Sequence, residues 1–186
     1  MQNNKIQSRN AEKKRNIILV GSMGTGKSSV GRKLAEELQM DFFDADEEMA
    51  KVTGLDLMTL YWKCGKIRFQ SEEDLMFCKL LRKENSVIAA GGTLEQTEER
   101  LNMIRKSGML VCLKADKDSI GQRINRKENR PLLRLGRESD KMQQYYENSQ
   151  CWEEVADLTI DTTACSIGEI VQRISQAWEC GSDGIL

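Results

Sequence analysis

The chain has 186 residues, 31% of them charged and 39% hydrophobic, which suits one α/β domain with a full core and falls short of two. Its formal net charge of −1 does not advertise a nucleic-acid partner. No apolar run reaches the ~20 residues of a membrane helix, and no apolar stretch at the N-terminus forms a secretory signal. The absence of histidine removes Ser-His and Cys-His hydrolytic schemes. Cys64, Cys78, Cys112, Cys151, Cys165 and Cys180 form no C-x-x-C pair, so a zinc site is disfavoured and reduced thiols in a cytoplasm are expected.

In chain order, residues 1–15 are polar and end in Lys13, Lys14 and Arg15. They read as a flexible basic leader; a nucleic-acid or membrane arm is the alternative, with few charges to serve it. Residues 16–20, NIILV, form a short apolar run suited to a buried parallel strand. Val30, Leu34 and Leu38 then recur at helical spacing up to Gln39. Residues 41–44 predict a second strand, and helical patterns follow at 47–52, 57–62 and 73–82. A third strand at 86–90 closes on Gly91 and Gly92. A helix at 95–106 and a fourth strand at 109–113 come next. Beyond them lie a helix at 119–126, a charged loop at 127–138, a helix at 139–155, a strand at 158–160 and an amphipathic helix at 167–178. This alternation predicts one three-layer α/β/α domain over 16–180 around a parallel five-stranded sheet, with a short tail at 181–186.

The chemistry begins at Gly21-Ser22-Met23-Gly24-Thr25-Gly26-Lys27-Ser28, a full match to G-x-x-x-x-G-K-[ST]. Glycines let backbone N–H groups turn inward around phosphate oxygens, and the helix that follows points its positive end at the anion. Gly21, Gly24, Thr25, Gly26, Lys27, Ser28 and Ser29 are the expected nucleotide-binding residues. Lys27 reaches the β- and γ-phosphates of ATP, and the Ser28 hydroxyl binds Mg²⁺. A glycine-rich turn without function needs neither the Lys nor the Ser, nor the flanking strand and helix.

Asp44 and Asp46 sit two apart at the end of the second strand, so strand alternation turns both the same way, toward the phosphate loop. One carboxylate can organise Mg²⁺ and its waters, and the other can accept a proton from an attacking hydroxyl. Capping of the next helix is an equal alternative. Arg123, Arg126, Lys127, Arg130, Arg134 and Arg137 surround the only proline. They read either as a solvated loop or as a basic lid that closes on a polyphosphate.

Taken together, GSMGTGKSSVGR, DFFDAD, VTG, VIAAGG and RPLL resemble the shikimate kinases in order and spacing, from about Ile17 to Ile174. The resemblance implies a nucleoside-monophosphate-kinase-like fold with a lid at about 127–138. It implies MgATP-dependent phosphorylation of the 3-hydroxyl of shikimate, a small-molecule acceptor, by a cytoplasmic monomer. Carried over, Lys27, Asp46 and Arg130 are catalytic, Ser28 and Asp44 serve the metal, and Arg130 also closes over ATP. Asp46, Gly91 and Gly92 belong to the acceptor site. Two further acceptor positions have changed. Where the family grips the shikimate carboxylate with two arginines, this chain has Gln70, after Phe69 and before Glu73, and Asn148, before Val155 and Ala156. A third glycine of the acceptor loop is Thr93. Losing two charge-assisted bonds of ~1.5–3 kcal/mol each lowers carboxylate affinity by roughly two to four orders of magnitude. Arg68 and Lys66 are the cations nearby, but two positions along a helix turn Arg68 from the Gln70 face. A diverged kinase with a neutral polyol acceptor, and a non-catalytic nucleotide-binding paralogue, are the alternatives. Retention of Lys27, Ser28, Asp46 and Arg130 speaks against the second.

Overall fold

Every residue of the first strand is buried, and its side chains feed two separate cores. The computed structural model describes residues 16–125 and 151–182. Its strands are β1 (Asn16–Val20), β2 (Asp41–Asp44), β3 (Ser86–Ala89), β4 (Gly108–Lys114) and β5 (Leu158–Asp161). They pair in parallel in the order β2-β3-β1-β4-β5, the expected five-stranded sheet. The helices are α1 (Lys27–Leu38), α2 (Ala45–Thr53), α3 (Leu57–Leu80), α4 (Glu98–Ser107), α5 (Lys117–Asn125) and α6 (Ile167–Ser182).

Alternation along β1 decides which core each residue joins. Ile17 and Leu19 pack with Val30 and Leu34 of α1 and with Ile170 and Ile174 of α6. Ile18 and Val20 pack with Met49 of α2, Phe77 of α3 and Ile104 of α4. Each such side chain contributes roughly 1.5–3 kcal/mol when fully buried. Both faces being covered explains why the strand reads as an unbroken apolar run. At its amino end the buried Asn16 donates from Nδ2 to Lys83 O (2.6 Å) and Ser107 Oγ (2.9 Å) and accepts from Ser86 N (3.0 Å). That cluster ties the amino ends of β1 and β3 to the turns beside them and so sets their register.

Three element boundaries differ from the sequence expectation. The strand at 41–44 stops at Asp44, and α2 starts at Ala45, so Asp46 lies in the first turn of a helix and not on the strand. The patterns at 57–62 and 73–82 fall on two helices, as expected, which meet within the span α3 at Gly65 (φ 75°, ψ 168°), so that the second begins directly after Gly65 and not at 73. The helix expected from residue 95 starts at Glu98, because the Thr97 side chain accepts from Arg100 N and caps it. Of the helix expected at 139–155, residues 151–153 are helical, residues 154–155 form a turn, and the rest lies outside the described residues. The expected lid at 127–138, the leader at 1–15, Arg130 and Asn148 also lie outside them. Cys64, Cys78, Cys112, Cys165 and Cys180 are free thiols, and among the described residues no helix is long and apolar enough to cross a membrane.

Candidate active site

β1 has β3 on one side and β4 on the other, so the direction of winding reverses at its carboxyl end, where a parallel sheet opens a crevice. The loop 21–26 leaves β1 at that point. Gly21 has φ 133°, and a Cβ there would lie 2.1 Å from Leu113 O of β4. The first glycine is therefore required by the close approach of two backbones and not by the ligand alone. Gly24 (φ 88°) and Gly26 (φ 100°) continue the left-handed turn that brings the loop over the start of α1. No side chain caps α1, so its first amides remain available to an anion. Lys27 folds back across the loop, and Nζ donates to Gly21 O (2.7 Å) and Ser22 O (3.1 Å).

A cavity of about 380 Å³ opens above this loop, a size suited to small molecules. Met23, Gly24, Gly26, Lys27, Ser28 and Ser29 line its floor, without Gly21; Asp44, Asp46, Ala90 and Gly92 line one flank. Arg123, Thr162 and the start of α6 line the other. Thr162 binds the two sides of the nucleotide end together. Its hydroxyl is 3.1 Å from Thr25 O and 3.0 Å from Lys114 O, and it accepts from Arg123 Nη1 at 3.0 Å. The Arg123 Nη2 group also donates to Thr162 O and Thr163 O. Arg123 was grouped with the basic lid on sequence; it is instead anchored from α5 to the segment after β5. Thr162 carries no motif. Its one sequence signal is its place just past the carboxyl end of a strand.

On the carboxylate flank, the helix-capping reading holds for Asp44. Asp44 caps α2, its Oδ1 accepting from Asp46 N (3.0 Å) and Glu47 N (3.4 Å), while both carboxylates line the cavity. Capping uses one oxygen of Asp44 and leaves the second outside that role. Gly91 lies behind Asp46. A Cβ on it would sit 2.1 Å from Glu73 Oε1 and 3.1 Å from Asp46 Oδ1, so the chain passes there between two carboxyl groups.

Glu73 is only 3% exposed. Burial pushes its pKa up to about 7, opposed by hydrogen bonds from Thr93 and reinforced by Asp46 and Asp74. The folded state therefore holds this proton more tightly than the unfolded chain, whose ordinary value is near 4.5. The stability it contributes is full below pH 4.5 and is lost as pH rises through about 7. Chemical denaturation across that window should show wild type losing on the order of a few kcal/mol that Glu73→Gln does not lose. Parallel profiles for the two proteins would contradict the assignment.

The two changed acceptor positions within the described residues are engaged with the protein itself. Gln70 Nε2 donates to Glu95 Oε1 (2.9 Å), and Gln70 is absent from the cavity lining. Thr93 Oγ1 donates to Glu73 Oε1 (2.6 Å), so its side chain is committed to Glu73. The exposed Arg68 lies 3.9 Å from Glu72 on its own helix.

Loop amides and an ammonium group thus share one cavity with two carboxylates. That combination suits moving a phosphoryl group from a polyanionic donor to a hydroxyl, and with this sheet order it defines a P-loop phosphotransferase. A sequence profile described as shikimate kinase matches residues 23–179. The shikimate kinase of Pelotomaculum thermopropionicum is 39% identical over 160 residues, covering 86% of this chain and 93% of that protein. The shikimate kinase of Thermodesulfovibrio yellowstonii is 34% identical over 170 residues, covering 91% and 98%. Among solved structures, shikimate kinase from Acinetobacter baumannii in complex with shikimate superposes with a TM-score of 0.81 at 30% identity, covering 93% of this chain and 96% of that one. The chain belongs to the shikimate kinase family, alcohol-acceptor phosphotransferases whose phosphate donor is ATP.

Proposed function

We propose that the protein transfers the γ-phosphoryl group of ATP to a hydroxyl of shikimate. The observation that carries this reading is Lys27 and Asp46 lining one cavity, in a chain 39% identical to a named shikimate kinase. Amides of the loop and of α1 bind the phosphates, and Lys27 neutralises charge on the migrating group. Asp46 accepts the proton of the attacking hydroxyl as the new O–P bond forms, and the old γ-phosphorus–oxygen bond breaks to release ADP. Ser28 and Asp44 offer the hard oxygen donors that Mg²⁺ prefers. Among the described residues no cluster of three or more His, Cys, Asp or Glu is arranged to hold an ion, which fits a metal that arrives with the nucleotide. When bound, Mg²⁺ would offset phosphate charge. Arg130, at the centre of the lid at 127–138, closes over the phosphates in this reading. Gly91 and Gly92 supply backbone for the acceptor, with Gln70 and Asn148 at its carboxylate end. We extend the reading to a monomeric catalytic unit over 16–180, on the likeness to the family, and to the cytoplasm, on cysteines that form no C-x-x-C pair.

One observation favours a second reading, a neutral polyol acceptor: Gln70 is bound by Glu95, an anion, where a carboxylate substrate calls for a cation. ADP release measured with shikimate and with a neutral cyclic polyol of similar size separates the two. The clamp itself is testable. An arginine at position 70 would pair with Glu95, so Gln70→Arg alone should change the KM for shikimate little. Gln70→Arg with Glu95→Gln should lower it about tenfold, the worth of one freed charge-assisted bond. Equal KM values for the single and double variants would show that position 70 does not reach the acceptor.

A further inference from the structure

Thr93 adds a second side-chain link between the loop after β3 and α3, beside the one from Gln70 to Glu95. Its hydroxyl donates to Glu73 Oε1 at 2.6 Å, and its backbone contributes a second hydrogen bond, fastening the loop after β3 to the middle of α3. That loop has little freedom on either side. Gly91 runs between Glu73 and Asp46, and the next residue, Gly92, lies against the phosphate loop, where a Cβ would be 3.4 Å from Met23 Cβ. A shift of the loop would therefore alter the carboxylate flank and its contact with the donor end together.

The chemistry of Glu73 explains why a donor is needed. A buried carboxyl beside other carboxylates is costly unless it is hydrogen-bonded. The groups acting on Glu73 electrostatically are Asp46 of α2 and Asp74 of α3, both acidic. The nearby cation, Arg100 of α4, is paired with Asp74 and also donates to Glu95 O. Thr93 supplies the side-chain donor that these neighbours do not.

We infer that Thr93 is a positioning residue: by bonding Glu73 it fixes the loop 91–93 against Asp46, and with it the seat of the acceptor hydroxyl. Only the kinetic consequence rests on the proposed transfer to shikimate. A glycine here, which opens space, should then impair this chain.

The test uses Thr93→Val, Thr93→Gly, Thr93→Ser and Glu73→Gln in the full chain. In the absence of any acceptor, amide hydrogen exchange at 91–94 should quicken in the valine and glycine variants and stay at the wild-type rate in the serine variant. With ATP and shikimate, the valine and glycine variants should lose about tenfold or more in kcat/KM for the acceptor, with the KM for ATP held within about twofold. Serine should restore activity to within a few fold. Thr93→Val combined with Glu73→Gln should be no worse than the poorer single variant. If valine does not fold, glycine and serine carry the comparison, since neither adds bulk. Unchanged exchange in Thr93→Gly overturns the inference whatever the acceptor is. Wild-type kcat/KM in Thr93→Gly overturns it as well. Faster exchange in a protein whose wild type is inert toward shikimate supports the positioning role and removes the shikimate reading alone.

Discussion

Lys27→Ala is expected to lower kcat by about 10²–10³ for any acceptor, the range seen when one preorganised charge-stabilising donor is removed. The migrating phosphoryl group carries its charge on oxygens, and catalysis of its transfer rests on positioning and neutralisation. Lys27 is the ammonium on the cavity floor, held over the loop by Gly21 O and Ser22 O. The loss should not come from unfolding. Ser22 O keeps the Thr25 hydroxyl (2.9 Å) as a donor, and Gly21 stays fixed by its packing on Leu113. Thermal melting should therefore move little while single-turnover rates collapse. Near wild-type turnover would remove phosphoryl transfer from the account.

Asp46→Asn is expected to cost about 10² in kcat, the lower end for loss of a positioned base. Its backbone place is secure, because Asp44 Oδ1 holds Asp46 N through the helix cap and not through the Asp46 side chain. ADP affinity should stay within about twofold, since amides and Lys27 bind the phosphates. The two variants separate two expected roles: Lys27→Ala should damage charge stabilisation, and Asp46→Asn should damage proton acceptance. An Asp46→Asn protein with full kcat would move the base elsewhere.

The sheet was legible in the sequence because its strands are covered on both faces and therefore read as short continuous apolar runs. The phosphate loop was legible because its spacing answers a local geometric need. What the sequence did not yield follows from two physical causes. The span α3 is largely solvent-facing around 63–68, so it has no sustained apolar period, and at Gly65 one helix ends and the next begins without a loop between them. The region proposed for the acceptor is held by pairs far apart in the chain. Gln70 meets Glu95 across 25 positions and Thr93 meets Glu73 across 20, contacts that no local pattern encodes. Asp44 and Asp46 stood between two local readings, a metal-and-base pair and a helix cap. The strand ends where the cap begins, so the aspartate that caps α2 also lines the cavity. Arg123 misled for a related reason: its charge matched the loop that follows, while its bonds run to Thr162 and Thr163, residues about 40 positions on.

The most direct measurement of the central claim is the fate of the acceptor itself. Wild-type protein incubated with MgATP and shikimate, followed by mass spectrometry of the small molecules, should yield shikimate carrying one phosphoryl group and one ADP for each product formed. Unmodified shikimate, with ADP accumulating no faster than in its absence, would contradict the account.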